Sequence, residues 1–117
     1  MSKESLVTLQ QAFDERRSIY ALGNELPVEP QAIVNMAERV LLHTPSAFNS
    51  QSSRLVVLFG AEHQKLWDIA EEKLRAAVGD GDFSGSKQKL DGFRASAGTV
   101  LFYEDKNVTE SLQEQFA

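Results

Sequence analysis

His43 to Gly60 reads HTPSAFNSQSSRLVVLFG, and the division of this stretch into two halves decides the fold. Its second half, Arg54 to Phe59, is a short apolar run rich in β-branched residues and bounded by a polar loop and Gly60. That pattern predicts a strand buried on both faces, and continuous burial of a strand implies helices covering the sheet. The first half, His43 to Arg54, packs hydroxyls and amides between an expected helix and that strand. A polar loop anchored by a rigid element is a usual place for binding residues.

Working upstream, Pro30 stands at a favourable first-turn position for a helix carrying Ile33, Ala37, Val40 and Leu41 on one face. The helix is expected to end near Thr44-Pro45, because a residue before proline avoids helical backbone angles. Gly23, Asn24 and Pro27 punctuate the segment before it. Leu6, Leu9 and Phe13 recur at helical spacing, with Ser5 or Ser2 available as a cap, so a first helix delivers the chain to Arg16.

Downstream, Trp67, Ala70, Leu74 and Ala77 give Glu62 to Val78 a helical face, closed by the turn residues Gly79-Asp80-Gly81-Asp82. The span GDGDFSGSK reads as a flexible connector. Ser86 to Ala97 follows as a helix with Leu90, Phe93 and Ala97 inward, and Gly98 to Tyr103, GTVLFY, as a second apolar strand. The tail TESLQEQFA begins like a helix capped by Thr109, with Leu112 and Phe116 as an apolar pair. Helix, helix, strand, helix, helix, strand indicates an α/β or α+β sheet protein without internal repeats. A terminal helix of barely two turns needs outside contacts to persist, which points to a shortened form of a longer chain.

The 117 residues suit one domain, and a hydrophobic fraction of 42% with seven Phe argues against disorder. Twelve Lys and Arg against seventeen Asp and Glu leave a net charge of −5, a field that repels a phosphate backbone, so nucleic acid is not an expected partner. The absence of cysteine removes thiolate metal sites, Fe–S clusters and thiol nucleophiles, and with His43 and His63 as the only imidazoles no metal site is expected. No secretory leader pattern and no apolar window of membrane-spanning length occurs, so a cytoplasmic location with no membrane association is expected.

Two polar clusters stand out. Arg16 and Arg17 offer planar donor forks suited to phosphate or carboxylate, although an arginine pair is more often a surface feature paired with neighbours such as Asp14 or Glu15. Ser18 and Tyr20, two residues apart in extended chain, point the same way and could edge a planar ligand. In the loop, Ser46, Asn49, Ser50 and Gln51 supply donors and acceptors of the kind an edge-on heterocycle needs. The same side chains could instead serve only their own backbone in Ser and Asn turns. Glu71 and Glu72 read as a solvated helix face, and His63 as a cap or surface residue. No Ser-His-Asp signature, P-loop or dinucleotide fingerprint is present.

RRSIYAL, HTPSAFNSQSSRLVVLFG, EHQKLWDI and GTVLFYED, in this order, resemble the nitroreductase family of FMN-dependent oxidoreductases, in its short branch similar to fatty-acid-repression proteins. The likeness runs over nearly the whole chain. It implies an α+β fold over residues 1–117, a three-layer sandwich with the sheet flanked by helices and shortened at the C-terminus. It also implies FMN as cofactor, with Arg16 and Arg17 meeting the phosphate or the ring's polar edge and Ser18 alongside. Tyr20 stands where many relatives have a basic residue. Ser46, Ala47 and Asn49 would touch FMN across a homodimer interface, and the resemblance implies for Gln51 either FMN binding or holding of the loop. The family pattern continues into later elements that include a basic residue for the phosphate and a loop beside the flavin's reactive nitrogen; neither falls within these residues.

The activity implied is NAD(P)H oxidation through FMN with reduction of an electron-poor acceptor, a nitro compound or quinone, in a ping-pong sequence. No side chain is expected to act as catalytic acid or nucleophile, because the flavin carries the chemistry. The rival expectation is a truncated, inactive module of the same fold that works by dimerisation or partner binding through uncovered apolar surface. A third is a flavin carrier without turnover.

Overall fold

A computed structural model describes residues 2–117, in which five helices and two strands follow one another with a single 3-10 turn between the second helix and the first strand. Helix α1 (Lys3–Glu15) starts where Ser2 Oγ accepts the Ser5 N–H at 3.1 Å. Leu6, Leu9 and Phe13 share a face as their spacing predicts, yet that face is exposed and α1 packs broadly on no other element. Helix α2 (Pro30–His43) opens on Pro30 and stops at Thr44, whose N–H and hydroxyl both donate to Val40 O, at 2.9 and 2.6 Å. It packs on the first strand, with Ile33, Val34 and Ala37 half-buried.

Strands β1 (Ser53–Phe59) and β2 (Gly98–Glu104) pair antiparallel, from Ser53 opposite Glu104 to Phe59 opposite Gly98. Gly98 is required at its position, since a Cβ there would lie 2.7 Å from both Leu58 O and Phe59 Cδ1. Gly60 then turns the chain with φ 55°, a conformation that favours glycine, straight into helix α3 (Gly60–Val78). Helix α3 packs across both strands and against helix α4 (Ser84–Arg94), where the Trp67 and Phe93 rings lie 5.1 Å apart. Helix α5 (Lys106–Phe116) follows β2 directly.

Several expectations need correction. β1 is half-buried from Arg54 onward and not enclosed on both faces, because it has β2 as its one partner among the described residues. The Ser84 N–H donates to Asp82 Oδ1 at 2.9 Å, and this local bond starts α4 inside the expected connector. The helix also ends at Arg94, short of Ala97. Asp105, not Thr109, caps α5: its Oδ1 accepts the Asn107 N–H at 3.0 Å, while Thr109 lies within the helix.

His63 is neither a cap nor a surface group; it is 1% exposed. It sits one turn before Trp67 on the face of α3 turned to the sheet. Arg94 O can only accept, so His63 Nε2 carries the proton and donates to it at 3.1 Å. Nδ1 therefore accepts from the Thr99 hydroxyl at 2.9 Å, and Thr99 Oγ1 in turn accepts the Trp67 Nε1–H at 3.0 Å. Every polar atom of this buried relay is satisfied, which ties α3, α4 and β2 into one unit.

Outside that unit the chain is open. Its radius of gyration is 18.3 Å, against about 13 Å for a compact chain of this length. Large apolar side chains stay exposed on α1, on α2 at Met36 and Leu42, and on β2 at Phe102.

Candidate functional site

Residues 44–52 join α2 to β1 through a tight, self-bonded turn. Asn49 and Ser50 N–H donate to Ser46 O and Ala47 O, each at 3.0 Å. The Gln51 N–H donates to Ser46 Oγ at 3.0 Å, and Gln51 Nε2 donates to Asn49 Oδ1 at 3.2 Å. Three residues take left-handed backbone angles: Phe48 at φ 54°, Asn49 at 52° and Gln51 at 51°. Asn tolerates that region; a bulky aromatic residue does not adopt it freely, so its surroundings must hold it there. Phe48 is 74% exposed, and its ring stacks on that of Phe116 of α5, with centroids 4.4 Å apart and planes 15° from parallel. An open groove of about 580 Å³ runs along Ala47, Phe48, Leu112 and Phe116.

The base of the turn is fastened by charge. Both Ser52 and Ser53 hydroxyls donate to the Glu104 carboxylate, the second at 2.8 Å, and the Asp105 N–H donates to Ser52 O at 2.8 Å. The Ser52 hydrogen bond, then that of Ser53, and then the nearby Arg54 charge hold the Glu104 carboxyl below the usual carboxylate range, against partial burial. Arg54 donates to Gln51 O at 2.8 Å and pairs with Asp105 at 3.1 Å. Thus β2 and the start of α5 set the geometry of a loop about fifty residues earlier in the chain.

The arginine segment is separate. Arg16 closes α1 through its backbone, and its guanidinium has no hydrogen bond or ion pair among the described residues. Arg17 Nη1 donates to Asp14 O at 2.6 Å and Arg16 O at 2.8 Å, leaving its other N–H groups available. Ser18 and Tyr20 are exposed and lie in chain without regular secondary structure. No hydrogen bond or ring contact joins this segment to the 46–51 turn within one chain, among the described residues.

Residues 14–116 match the model of the nitroreductase family. The chain belongs to that family. It is 33% identical over 114 residues to HBN1 of Saccharomyces cerevisiae and 34% identical over 108 residues to the nitroreductase FRM2 of the same yeast. These alignments cover 96% and 90% of this chain, and 56% and 52% of the relatives, so the chain spans about half the length of the curated relatives it matches. Among solved structures, nitroreductase CinD from Lactococcus lactis superposes with a TM-score of 0.76 at 38% identity, over 92% of this chain and 53% of that one.

In this nitroreductase-family chain the sheet with helices packed on it is the expected α+β arrangement. The structure gathers Ser46, Ala47, Asn49 and Gln51 into one turn and leaves Arg16, Arg17, Ser18 and Tyr20 on a different stretch of surface chain. Part of the turn's polar capacity is spent internally. Ser46 keeps its own O–H and Asn49 its amide N–H groups as donors, chemistry that suits the carbonyl edge of a heterocycle, and on the separate segment the Arg16 guanidinium is of a kind that suits a phosphate.

Glu71 also departs from its expected solvated role. It meets Arg94 Nη2 at 2.7 Å, Arg75 at 3.0 Å and Lys87 at 3.6 Å. A second cleft, of about 470 Å³, lies beside Arg75, Phe83 and Lys87, but its charges are already paired with Glu71 and Asp91. Among the described residues no helix is long and apolar enough to cross a membrane, and no group of acids or imidazoles is placed to hold a metal.

Proposed function

We propose that residues 1–117 form one nitroreductase-like domain of an FMN-dependent NAD(P)H oxidoreductase that reduces nitro compounds or quinones, working as a cytoplasmic homodimer. The observation that most supports this reading is the 46–51 turn, a constrained loop at a strand's start that keeps free donors at Ser46 and Asn49. CinD, a relative in fold and sequence, is known in complex with chloramphenicol, 4-nitrophenol and nicotinic acid. An aromatic nitro compound is accordingly the acceptor class we assign.

In this reading Arg16 and Arg17 neutralise the phosphate, Ser18 donates beside them, and Tyr20 borders the ring. From the partner subunit, Ser46, Ala47 and Asn49 meet the flavin's polar edge, and Gln51 holds Asn49 in place. FMN, when bound, supplies a two-electron carrier between NAD(P)H and the acceptor. The chain's residues bind and orient it; fixed donors near a developing negative charge stabilise that charge without reorganisation.

The experiment is direct. Purified protein should be yellow or take up added FMN, release it on denaturation, and oxidise NAD(P)H when a nitroaromatic acceptor is present. Colourless protein that stays empty in excess FMN would overturn this reading. It would favour the second one, an inactive module acting by dimerisation or partner binding, for which the exposed face of Leu6, Leu9 and Phe13 speaks.

A further inference from the structure

Two hydrogen bonds inside the turn, Asn49 N–H to Ser46 O and Ser50 N–H to Ala47 O, span Phe48 and bend its backbone into the left-handed region, but neither engages its ring. The turn's internal hydrogen bonds fix Ser46, Asn49, Ser50 and Gln51, but none of them involves the Phe48 side chain. Among the described residues the aromatic partner of that ring is Phe116, sixty-eight positions along the chain and near the end of α5. α5 itself is aimed by Asp105, which caps the helix and whose N–H is bonded to Ser52 O at 2.8 Å. Base and tip of the same loop are therefore both held by one stretch, Glu104 to Phe116.

We propose that Phe116 is a positioning residue: by stacking on Phe48 it holds the left-handed tip of the 46–51 turn, so that α5 sets how well the turn receives its ligand. This rests on the FMN reading for the ligand but not for the coupling. Phe116 would contact no flavin; it acts through Phe48 and the neighbouring Asn49. Among the described residues helix α5 packs broadly on no other element, so the stack is well placed to tie its motion to the loop. Loss of the stack releases the strain at Phe48 by letting the tip leave the left-handed region, and Asn49 moves with it.

Two measurements on the 117-residue chain test this, with Phe116→Ala and Phe116→Tyr compared to the parent. The first is amide hydrogen exchange without flavin. Asn49 and Ser50, whose N–H groups are bonded inside the turn, should exchange faster in Phe116→Ala, at parent rates in Phe116→Tyr, and the β1 amides of Val56 and Val57 should be unchanged in both. Unchanged exchange at Asn49 and Ser50 in Phe116→Ala overturns the proposal, as does equal acceleration in the tyrosine variant. The second is FMN titration by flavin fluorescence. Affinity should fall about fivefold in Phe116→Ala, the scale of one aromatic pair, and be restored in Phe116→Tyr. A parent that binds FMN alongside an alanine variant that binds it equally well overturns the positioning role. A parent that binds no FMN refutes the cofactor reading, while the exchange experiment still decides the coupling.

Discussion

Arg94 of α4 places its guanidinium 2.7 Å from the Glu71 carboxylate of α3, a contact that joins the two helices beside the packing of Trp67 on Phe93. Hydrogen bonds from Arg94 and then Arg75, with the Lys87 charge nearby, lower the Glu71 pKa from its ordinary 4.5 to about 2, against the opposing effect of partial burial. A carboxylate with a depressed folded-state pKa stabilises the fold above its unfolded value and loses that contribution as pH falls toward the folded one. Thermal melts should therefore show a stability loss between pH 4.5 and 2 that is smaller in Glu71→Gln than in the parent. Identical pH profiles in the two proteins would remove Glu71 from the acid response.

The Gly98 prediction is steric. A methyl group there meets Leu58 O and the Phe59 ring at 2.7 Å, and backbone oxygen cannot swing aside as a flexible side chain can. Gly98→Ala should destabilise the chain by about 1–3 kcal/mol, the range for overpacking. Urea unfolding measures it; a midpoint equal to the parent's would mean that the ends of β1 and β2 part without cost.

How far these relationships could be read beforehand depends on their range in the chain. Local signals worked. The Ser2 cap, Pro30 at the start of α2, the stop at Thr44-Pro45 and both apolar strands are where short-range spacing placed them. The starts of α4 and α5 differ from expectation because Asp82 and Asp105 each accept an N–H two residues on, so α4 begins at Ser84, ahead of Ser86, and α5 at Lys106, ahead of Thr109. His63 and Glu71 failed for another reason, since their partners Thr99 and Arg94 lie more than twenty residues away. One signal was available for His63: it precedes Trp67 by one helical turn, on the stripe already assigned to the interior. For the candidate site, the 46–51 segment was legible as a polar turn from its own composition. Its dependence on Glu104 and Phe116 was not, because no local pattern links residues so far apart.

His63 should behave as a structural residue. His63→Ala removes a fully buried ring, strands the Thr99 hydroxyl proton and leaves Arg94 O with the Gln64 amide as its remaining side-chain donor, for a loss of about 2–4 kcal/mol. Because Thr99 also accepts from the Trp67 indole, the fluorescence of this single Trp should shift in the same variant. A destabilised protein with unaltered Trp emission would show that the relay does not extend from His63 to Trp67.

The flavin site makes the last prediction, and it separates the two polar segments. Arg16 has a guanidinium without a partner among the described residues and should contribute a charge-assisted contact to the phosphate, so Arg16→Ala should weaken FMN binding by about 1.5–3 kcal/mol with little change in the melting temperature. Asn49 is part of the turn, and its Oδ1 is already bonded to Gln51, so its free amide donors are what a ligand would meet. Asn49→Ala should also loosen FMN, but only where two chains associate, because in a single chain the turn and the arginine segment are not joined by any hydrogen bond among the described residues. Titration of FMN at protein concentrations above and below the dimerisation midpoint reads this out. Should Asn49→Ala weaken binding equally at both, the turn serves its own subunit, and sharing of the site between protomers is refuted.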